Sequence, residues 1–208
     1  MTEVEHQNSN THKTGMSKNR LEAFSDGVLA IIITIMVLEL KIPHGDSIDN
    51  LQPLIPVFLS YALSFVYVGI YWNNHHHLLQ IVKRISGSTL WANMHLLFWL
   101  SLIPFATAWS GENHFSMWPV VTYGFVLLCS AVAYYILVRS LLATHEENSD
   151  LARAIGGDFK GKVSVVIYII AMLSAFLSTY IAIGLYVLVA IIWFVPDSRI
   201  EKIIKAKN

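Results

Sequence analysis

Six apolar segments, each close to the thickness of a lipid bilayer, follow one another along this chain of 208 residues. A transmembrane α-helix needs about 20 predominantly apolar residues. Hydrophobic residues make up 55% of the chain and charged residues only 13%, whereas a soluble domain carries about 25% charged residues. The sequence therefore predicts an all-α integral membrane protein. Its predicted spans are Arg20 to Leu40, Leu51 to Trp72, Thr89 to Trp109, Met117 to Val138, Lys162 to Thr179 and Tyr180 to Val195.

The last two predicted spans share one apolar stretch of more than 30 residues. Because this stretch is too long for a single untilted span, we expect a tight hairpin near Ser178, Thr179 and Tyr180. Four prolines are expected to lie towards the ends of spans rather than midway, namely Pro53, Pro56, Pro104 and Pro119.

The remaining sequence is short and polar. Residues 1–19 lack hydrophobic periodicity and are expected to form a disordered cytoplasmic arm, residues 20–196 the six-span domain, and residues 197–208 a cytoplasmic tail. Cys129 is the single cysteine, which excludes a disulfide within the chain. We expect no cofactor and no nucleic-acid partner.

The distribution of basic residues predicts the orientation of the spans. Lys and Arg accumulate in cytoplasmic segments close to span ends. If both termini are cytoplasmic, 13 of the 14 basic residues lie on the cytoplasmic side and only Lys41 lies outside. Five or seven spans would scatter these charges over both faces, so six spans are favoured.

A polar layer is predicted at the cytoplasmic side of the first three spans. Span one begins with Arg20-Leu-Glu-Ala-Phe24-Ser25-Asp26, span two ends with a run from Trp72 to His77, and span three begins near Asn93. An ionised Asp26 at membrane depth needs a donor. The layer is interpreted first as a network that anchors the helices. A proton-sensing role for its histidines is the alternative, whereas three consecutive histidines point about 100° apart on a helix and cannot share one metal ion.

The apolar part of span one carries a stripe of large residues on the side away from Asp26. At about 100° per residue the stripe contains Phe24, Val28, Ile31, Ile35 and Leu38, with Gly27 and Thr34 at its edge. By its spacing alone, such a stripe is ordinarily a face that meets lipid or packs in a core.

The motif Arg20-x-x-x-Phe24-Ser25-Asp26 resembles the signature that opens the first membrane helix of the transmembrane protein 175 family of potassium channels. The resemblance extends over the whole chain. It includes a single six-span unit, an asparagine- and histidine-rich end to span two, and a Leu-Ile-Pro-Phe sequence between Asn93 and Phe105. Members with one repeat assemble as tetramers, and this chain resembles that kind.

The resemblance implies a homotetrameric potassium-selective cation channel of the cell membrane, with potassium ions and the bilayer as its partners. The sequence has no Thr-Val-Gly-Tyr-Gly type filter, and family members instead line the ion path with the first helix of each subunit. Their narrowest ring lies five residues after the motif aspartate, at Ile31 in this chain. Further rings fall on Ile35 and Leu38, with the Thr34 hydroxyl between them. The implied polar network that holds the first helix comprises Arg20, Phe24, Ser25, Asp26, Trp72, Asn73, Asn74, His76, His77 and Asn93.

Two selectivity mechanisms stay open. Potassium is less tightly hydrated than sodium and passes an apolar ring more readily, which predicts modest selectivity. Alternatively, the Thr34 hydroxyl replaces part of the lost water, and Ile31 acts as a gate that closes by dewetting.

Other function classes are less favoured. A proton channel or a proton-coupled transporter is the alternative function, although a secondary transporter usually shows internal repeats and interrupted helices. An enzyme is not expected, because the sequence lacks His-Glu-x-x-His and Gly-x-Ser-x-Gly motifs.

The predicted orientation can be tested by cysteine labelling in a Cys129→Ser background. Cysteines introduced at Asn8 and Asn208 should be inaccessible to an impermeant thiol reagent in intact cells, whereas a cysteine at Asn113 should label. Labelling at either terminus would contradict the partition of basic residues.

Overall fold

The computed structural model describes residues 18–145, 151–152 and 159–194 of the chain, and this part consists of helices and turns. Seven α-helices and one 3-10 helix have their bounds within these described ranges. They are α1 Lys18–Leu38, the 3-10 helix Ile48–Leu54, α2 Ile55–Ile81, α3 Gly87–Ser101, α4 Ile103–Glu112, α5 Met117–Ala143, α6 Phe159–Ser174 and α7 Thr179–Phe194. The predicted all-α membrane fold is confirmed. The predicted arm, except for its last two residues, and the predicted tail lie outside the described residues.

Within the described residues, four segments are long and apolar enough to cross a membrane, namely Lys18–Leu38, Ile48–Ile81, Gly87–Glu112 and Met117–Ala143. The last two helices are shorter. Each has 16 residues, or about 24 Å at 1.5 Å per residue, and they pack along each other across a turn at residues 175–178. This turn overlaps the predicted hairpin position at Ser178. Six spans remain a prediction for these two helices.

Local capping explains where several helices begin. Ser86 precedes α3 and accepts a hydrogen bond from the Thr89 backbone N–H at 3.2 Å, as an N-cap residue does. Ser47 caps the 3-10 helix in the same way through Asp49 N at 3.3 Å. Pro56 lies in the first turn of α2, where its missing N–H removes no helical bond.

Two sequence expectations need correction. Pro104 does not lie near a span end: it divides the third span, because α3 ends at Ser101 and α4 begins at Ile103. A proline inside a helix removes one backbone hydrogen bond and forces such a break. The second span is also longer than predicted, since α2 continues past Trp72 to Ile81 and holds the asparagine and histidine run within the helix.

Hydroxyl groups join the helices in the core of the bundle. Ser60 Oγ donates to the Thr107 carbonyl at 2.7 Å, and Thr107 Oγ1 donates to Ser64 Oγ at 2.6 Å. Ser64 also lies 2.9 Å from the Tyr123 hydroxyl. Hydrogen bonds between helices are a main source of specific association in lipid, where hydrophobic burial offers little. These contacts link α2 to α4 and α5.

Helix α1 lies at one side of the bundle and packs against α2, α3 and α4. At its far end, Lys41 forms an ion pair with Glu112, the last residue of α4. The hydrogen bond and the charge of Glu112 raise the pKa of Lys41 above its usual value. This pair fixes the chain after α1 to the end of the third span.

The contact between α2 and α4 predicts the effect of a glycine substitution. A Cβ added at Gly111 would lie 2.7 Å from the Val57 Cα, so Gly111→Ala must push the helices apart. Overpacking of this kind costs about 1–3 kcal/mol. We expect the purified Gly111→Ala variant to have a lower midpoint of thermal unfolding than the wild type.

Gly69→Ala is the matched control, because an added Cβ there has no atom within 4 Å. It should keep or raise the midpoint, since alanine favours a helix over glycine. Equal losses in both variants would mean that the close approach at Gly111 does not limit packing.

Candidate functional site

The candidate site is helix α1, whose two faces have different environments. One face is buried against the bundle and consists of Leu21, Ser25, Leu29, Ile32 and Met36. The spacing of three and four residues is that of a single helical stripe. The opposite face is uncovered within the subunit.

A buried chain of three polar side chains joins α1 to α3 and α2. Asn93 Nδ2 donates to Ser25 Oγ at 2.9 Å. His75 Nε2 lies 2.8 Å from Asn93 Oδ1. All three side chains are shielded from solvent, with Ser25 and Asn93 fully buried. We call this group the anchor triad.

The orientation of the Asn93 amide determines which atom donates in each hydrogen bond of the anchor triad. Because Asn93 uses its amide nitrogen on Ser25, its oxygen faces His75, and an amide oxygen can only accept. His75 Nε2 therefore carries the shared proton. Ser25 Oγ donates in turn to the Leu21 carbonyl at 2.9 Å. The other ring nitrogen, His75 Nδ1, is buried and has no hydrogen-bond partner among the described residues.

Two acidic residues of α1 reach α2 beside the anchor triad. Asp26 Oδ1 accepts a hydrogen bond from Trp72 Nε1 at 3.1 Å. Glu22 Oε1 lies 2.9 Å from His76 Nδ1, and the rings of Trp72 and His76 stack with centroids 6.0 Å apart. An acidic group at membrane depth needs such a donor, and α2 supplies one to each carboxylate.

The structure brings five of the ten predicted network residues together, namely Ser25, Asp26, Trp72, His76 and Asn93. The other five stand apart. Arg20 and Asn73 form no hydrogen bond among the described residues, Phe24 is exposed, and His77 meets only the ring of His76. Asn74 bonds to the Ile70 carbonyl within α2, and its own carbonyl accepts from Tyr134 on α5.

The predicted list of network residues omitted two that take part in these contacts. His75 is the buried histidine of the triad, and Glu22 is the partner of His76. The position of His75 could have been found from periodicity, because it lies seven residues after the apolar Val68 and therefore on the same side of α2. Glu22 precedes Asp26 by one helical turn and therefore shares its side of α1.

The uncovered face of α1 carries the residues predicted to line an ion path. Ile31, Thr34, Ile35 and Leu38 are all exposed within the subunit. The contrast between neighbours is large: Ile31 is 58% exposed and Ile32 is 3% exposed. Thr34 Oγ1 donates to the Ile31 carbonyl at 2.8 Å, which leaves the lone pairs of the hydroxyl oxygen available to a cation.

No group of three His, Cys, Asp or Glu side chains converges as metal ligands do anywhere in residues 18–145, 151–152 and 159–194. The histidine run is engaged with protein partners instead: His75 with Asn93, and His76 with Glu22 and Gln80. The chemistry of the site is therefore hydrogen bonding between helices on one face of α1 and an open aliphatic surface on the other.

Comparison with known proteins gives three close matches. The family profile "Endosomal/lysosomal potassium channel TMEM175" matches residues 20–104. A protein named potassium channel from Chryseobacterium sp. (strain P1-3) is 60% identical over 190 residues, which cover 91% of this chain and 99% of that protein. The crystal structure of a lysosomal potassium-selective channel TMEM175 homolog from Chamaesiphon minutus matches with a TM-score of 0.75 at 26% identity. This match covers 87% of this chain and 98% of that chain.

A vertebrate protein matches a smaller part. The endosomal/lysosomal proton channel TMEM175 of Gallus gallus is 32% identical over 109 residues, or 47% of this chain and 22% of that protein.

The anchor triad predicts that substitution of Asn93 lowers the thermal stability of the protein more than substitution of Asn73. Asn93→Leu removes the acceptor of His75 and the donor to Ser25, and a buried polar group left unpaired costs about 1–3 kcal/mol. We expect a lower thermal midpoint of the purified protein. Asn73→Leu is the matched control, because Asn73 forms no hydrogen bond among the described residues, and it should change the midpoint little. A similar loss in both variants would argue against the triad as the anchor.

Proposed function

The chain belongs to the TMEM175 family of channels, and we propose that it forms a homotetrameric potassium-selective channel in which α1 of each subunit lines a central ion path. The relatives reported above are named as channels rather than as enzymes. The observation that carries the proposal is the division of α1 into an anchored face and an uncovered face. A single helix cannot enclose a path for ions, so several copies of α1 must meet.

The anchored face determines which residues the path presents. The anchor triad and the contacts of Asp26 and Glu22 lie on the sides of α1 that face α2 and α3. With these contacts made, Ile31, Thr34, Ile35 and Leu38 point away from the bundle. In a tetramer with α1 at the centre, these four positions form rings around the axis. The proposal thus rests on packing within the subunit and on the family resemblance together.

Ile31 is proposed as the narrowest ring. Four isoleucine side chains offer no oxygen ligands, so an ion must pass with most of its water or lose part of it against an apolar wall. Potassium gives up water more readily than sodium, which favours its passage. One turn further, the Thr34 hydroxyl oxygen is available as a ligand, because its proton is held by the Ile31 carbonyl. The sequence left two selectivity mechanisms open, partial loss of water at the apolar Ile31 ring and replacement of that water by the Thr34 hydroxyl. In this arrangement they can act one after the other along the ion path.

The orientation in the membrane is also a proposal. With both termini cytoplasmic, the anchor triad lies on the inner side, and the ion pair of Lys41 with Glu112 lies outside. The positive-inside rule supports this arrangement, because only Lys41 among the 14 basic residues is then external. We propose the cell membrane as the location.

A proton channel is the alternative, because vertebrate relatives carry that name. From Gly27 to Leu38, however, α1 has no titratable side chain. A chain of titratable groups that relays protons therefore cannot run along this part of the helix.

The proposal predicts opposite effects for two adjacent isoleucines. Ile31→Ala should widen the ring and bring sodium permeability towards that of potassium, with little change in stability, because the side chain is exposed. Ile32→Ala should leave selectivity unchanged and lower stability by about 2–5 kcal/mol, the usual loss for a buried large-to-small change. Reversal potentials under bi-ionic conditions and thermal midpoints measure the two effects.

Each isoleucine is thus the control for the other. Unchanged selectivity in Ile31→Ala would remove Ile31 from the ion path. Altered selectivity in Ile32→Ala, in a protein that keeps its tetrameric size on gel filtration, would mean that α1 is rotated from the orientation described above.

A further inference from the structure

A cavity of about 330 Å³ lies among α2, α5, α6 and α7. Its wall is largely aromatic and aliphatic and includes Tyr71, Ala131, Tyr135, Val165, Tyr168 and Trp193. The volume falls at the lower end of the range for ligand pockets, which are typically apolar with a few polar groups. Tyr135 is 44% exposed, so the cavity reaches the surface of the subunit.

Most polar groups of the wall already have partners in the protein. Trp193 Nε1 donates to Ser164 Oγ at 2.8 Å, and Ser164 Oγ donates to the Lys160 carbonyl. Asn74 is satisfied within α2. The hydroxyls of Tyr71 and Tyr135 differ, because neither forms a hydrogen bond among the described residues. A bound molecule therefore meets apolar surface, the Tyr71 hydroxyl in the interior and the Tyr135 hydroxyl at the exposed side of the cavity.

Two basic residues flank the mouth of the cavity. Lys162 lines it from the first turn of α6 and is exposed. Arg139 is exposed on α5, one helical turn beyond Tyr135 and on the same side of that helix. The mouth therefore favours an anionic group, and the interior favours a hydrocarbon chain.

The depth of the mouth matches the boundary between hydrocarbon and headgroups. A span of about 20 residues crosses the hydrocarbon core. Counted from Met117, where α5 begins, this length ends between Tyr135 and Arg139. Trp193 lies at the end of α7, at the same level as Lys162, and tryptophan is enriched at that interface.

We propose that the cavity is a binding site for an anionic phospholipid, with one acyl chain inside and the phosphate between Lys162 and Arg139. The Tyr71 hydroxyl donates to an ester carbonyl of the lipid. Basic pockets between membrane helices bind anionic headgroups in this way. In the orientation proposed above, the lipid comes from the inner leaflet. The site depends on the membrane fold and not on which ion the channel conducts.

Native mass spectrometry of the purified full-length channel tests the proposal. The protein is mixed with equal amounts of phosphatidylglycerol and phosphatidylcholine that carry the same acyl chains. We expect phosphatidylglycerol to be retained preferentially, at up to one molecule per subunit. Lys162→Gln should weaken its retention about fivefold, the value of one basic residue near a headgroup. Lys83→Gln, an exposed basic residue in the loop after α2, should leave retention unchanged.

Two further variants address the interior. Ala131→Phe fills the cavity and should abolish selective retention, whereas Val166→Phe adds the same ring on an exposed face of α6 and should not. Tyr71→Phe changes only the hydroxyl and should weaken retention between two- and tenfold, as the loss of one hydrogen bond does. This milder variant decides the question if Ala131→Phe fails to give a tetramer on gel filtration.

Either of two results overturns the proposal. Equal retention of both lipids in the wild type, with no effect of Lys162→Gln, would show that no anionic headgroup is recognised. Wild-type retention of phosphatidylglycerol in both Ala131→Phe and Tyr71→Phe would place the lipid outside the cavity. Potassium currents are not part of this test, so its failure leaves the proposed function untouched.

Discussion

A polar face on a membrane helix must find its hydrogen-bond partners inside the protein, because lipid offers none. Helix α1 meets this requirement through the anchor triad and through the contacts of Asp26 with Trp72 and Glu22 with His76. Each interhelical bond in a membrane is worth only about 0.6 kcal/mol. Their joint effect is to select one rotation of the helix, since a turn of about 100° would move Ser25 out of contact with Asn93. The rotation of α1 decides which residues its free face presents.

Much of the fold follows from the lengths of the apolar segments. Where the observed helices differ from the predicted spans, the difference has a local cause. The start of the fourth span at Met117 was predicted at the observed residue, and the hairpin turn at residues 175–178 overlaps its predicted position at Ser178. The break at Leu102 was not predicted, because Pro104 was expected to lie towards the end of the third span, where it would not divide a helix. The extension of α2 to Ile81 was also missed, since polar residues that pack against neighbouring helices look like the end of a span.

The motif identified the family and the helix, but it could not assign each contact. The sequence predicted that Asp26 needs a donor but not which residue supplies it, and the indole of Trp72 takes that place. Among three consecutive histidines, only the rotation of α2 decides that His75 is buried with Asn93 and that His76 meets Glu22. The stripe on α1 was visible in the sequence, but its exposure depends on what the other helices cover. The lipid cavity had no sequence signal, because its wall comes from four separate helices.

In the proposed channel, the anchored face and the ion-lining face of α1 are opposite sides of one helix. Scanning cysteine modification in a Cys129→Ser background tests it most directly, with a small cationic thiol reagent applied during current recording. The account predicts that the reagent changes the current through channels with cysteine at Ile31, Thr34 or Leu38. It predicts no change at Leu29 or Met36, which are buried. Modification at the buried positions, with none at the exposed ones, would contradict the account.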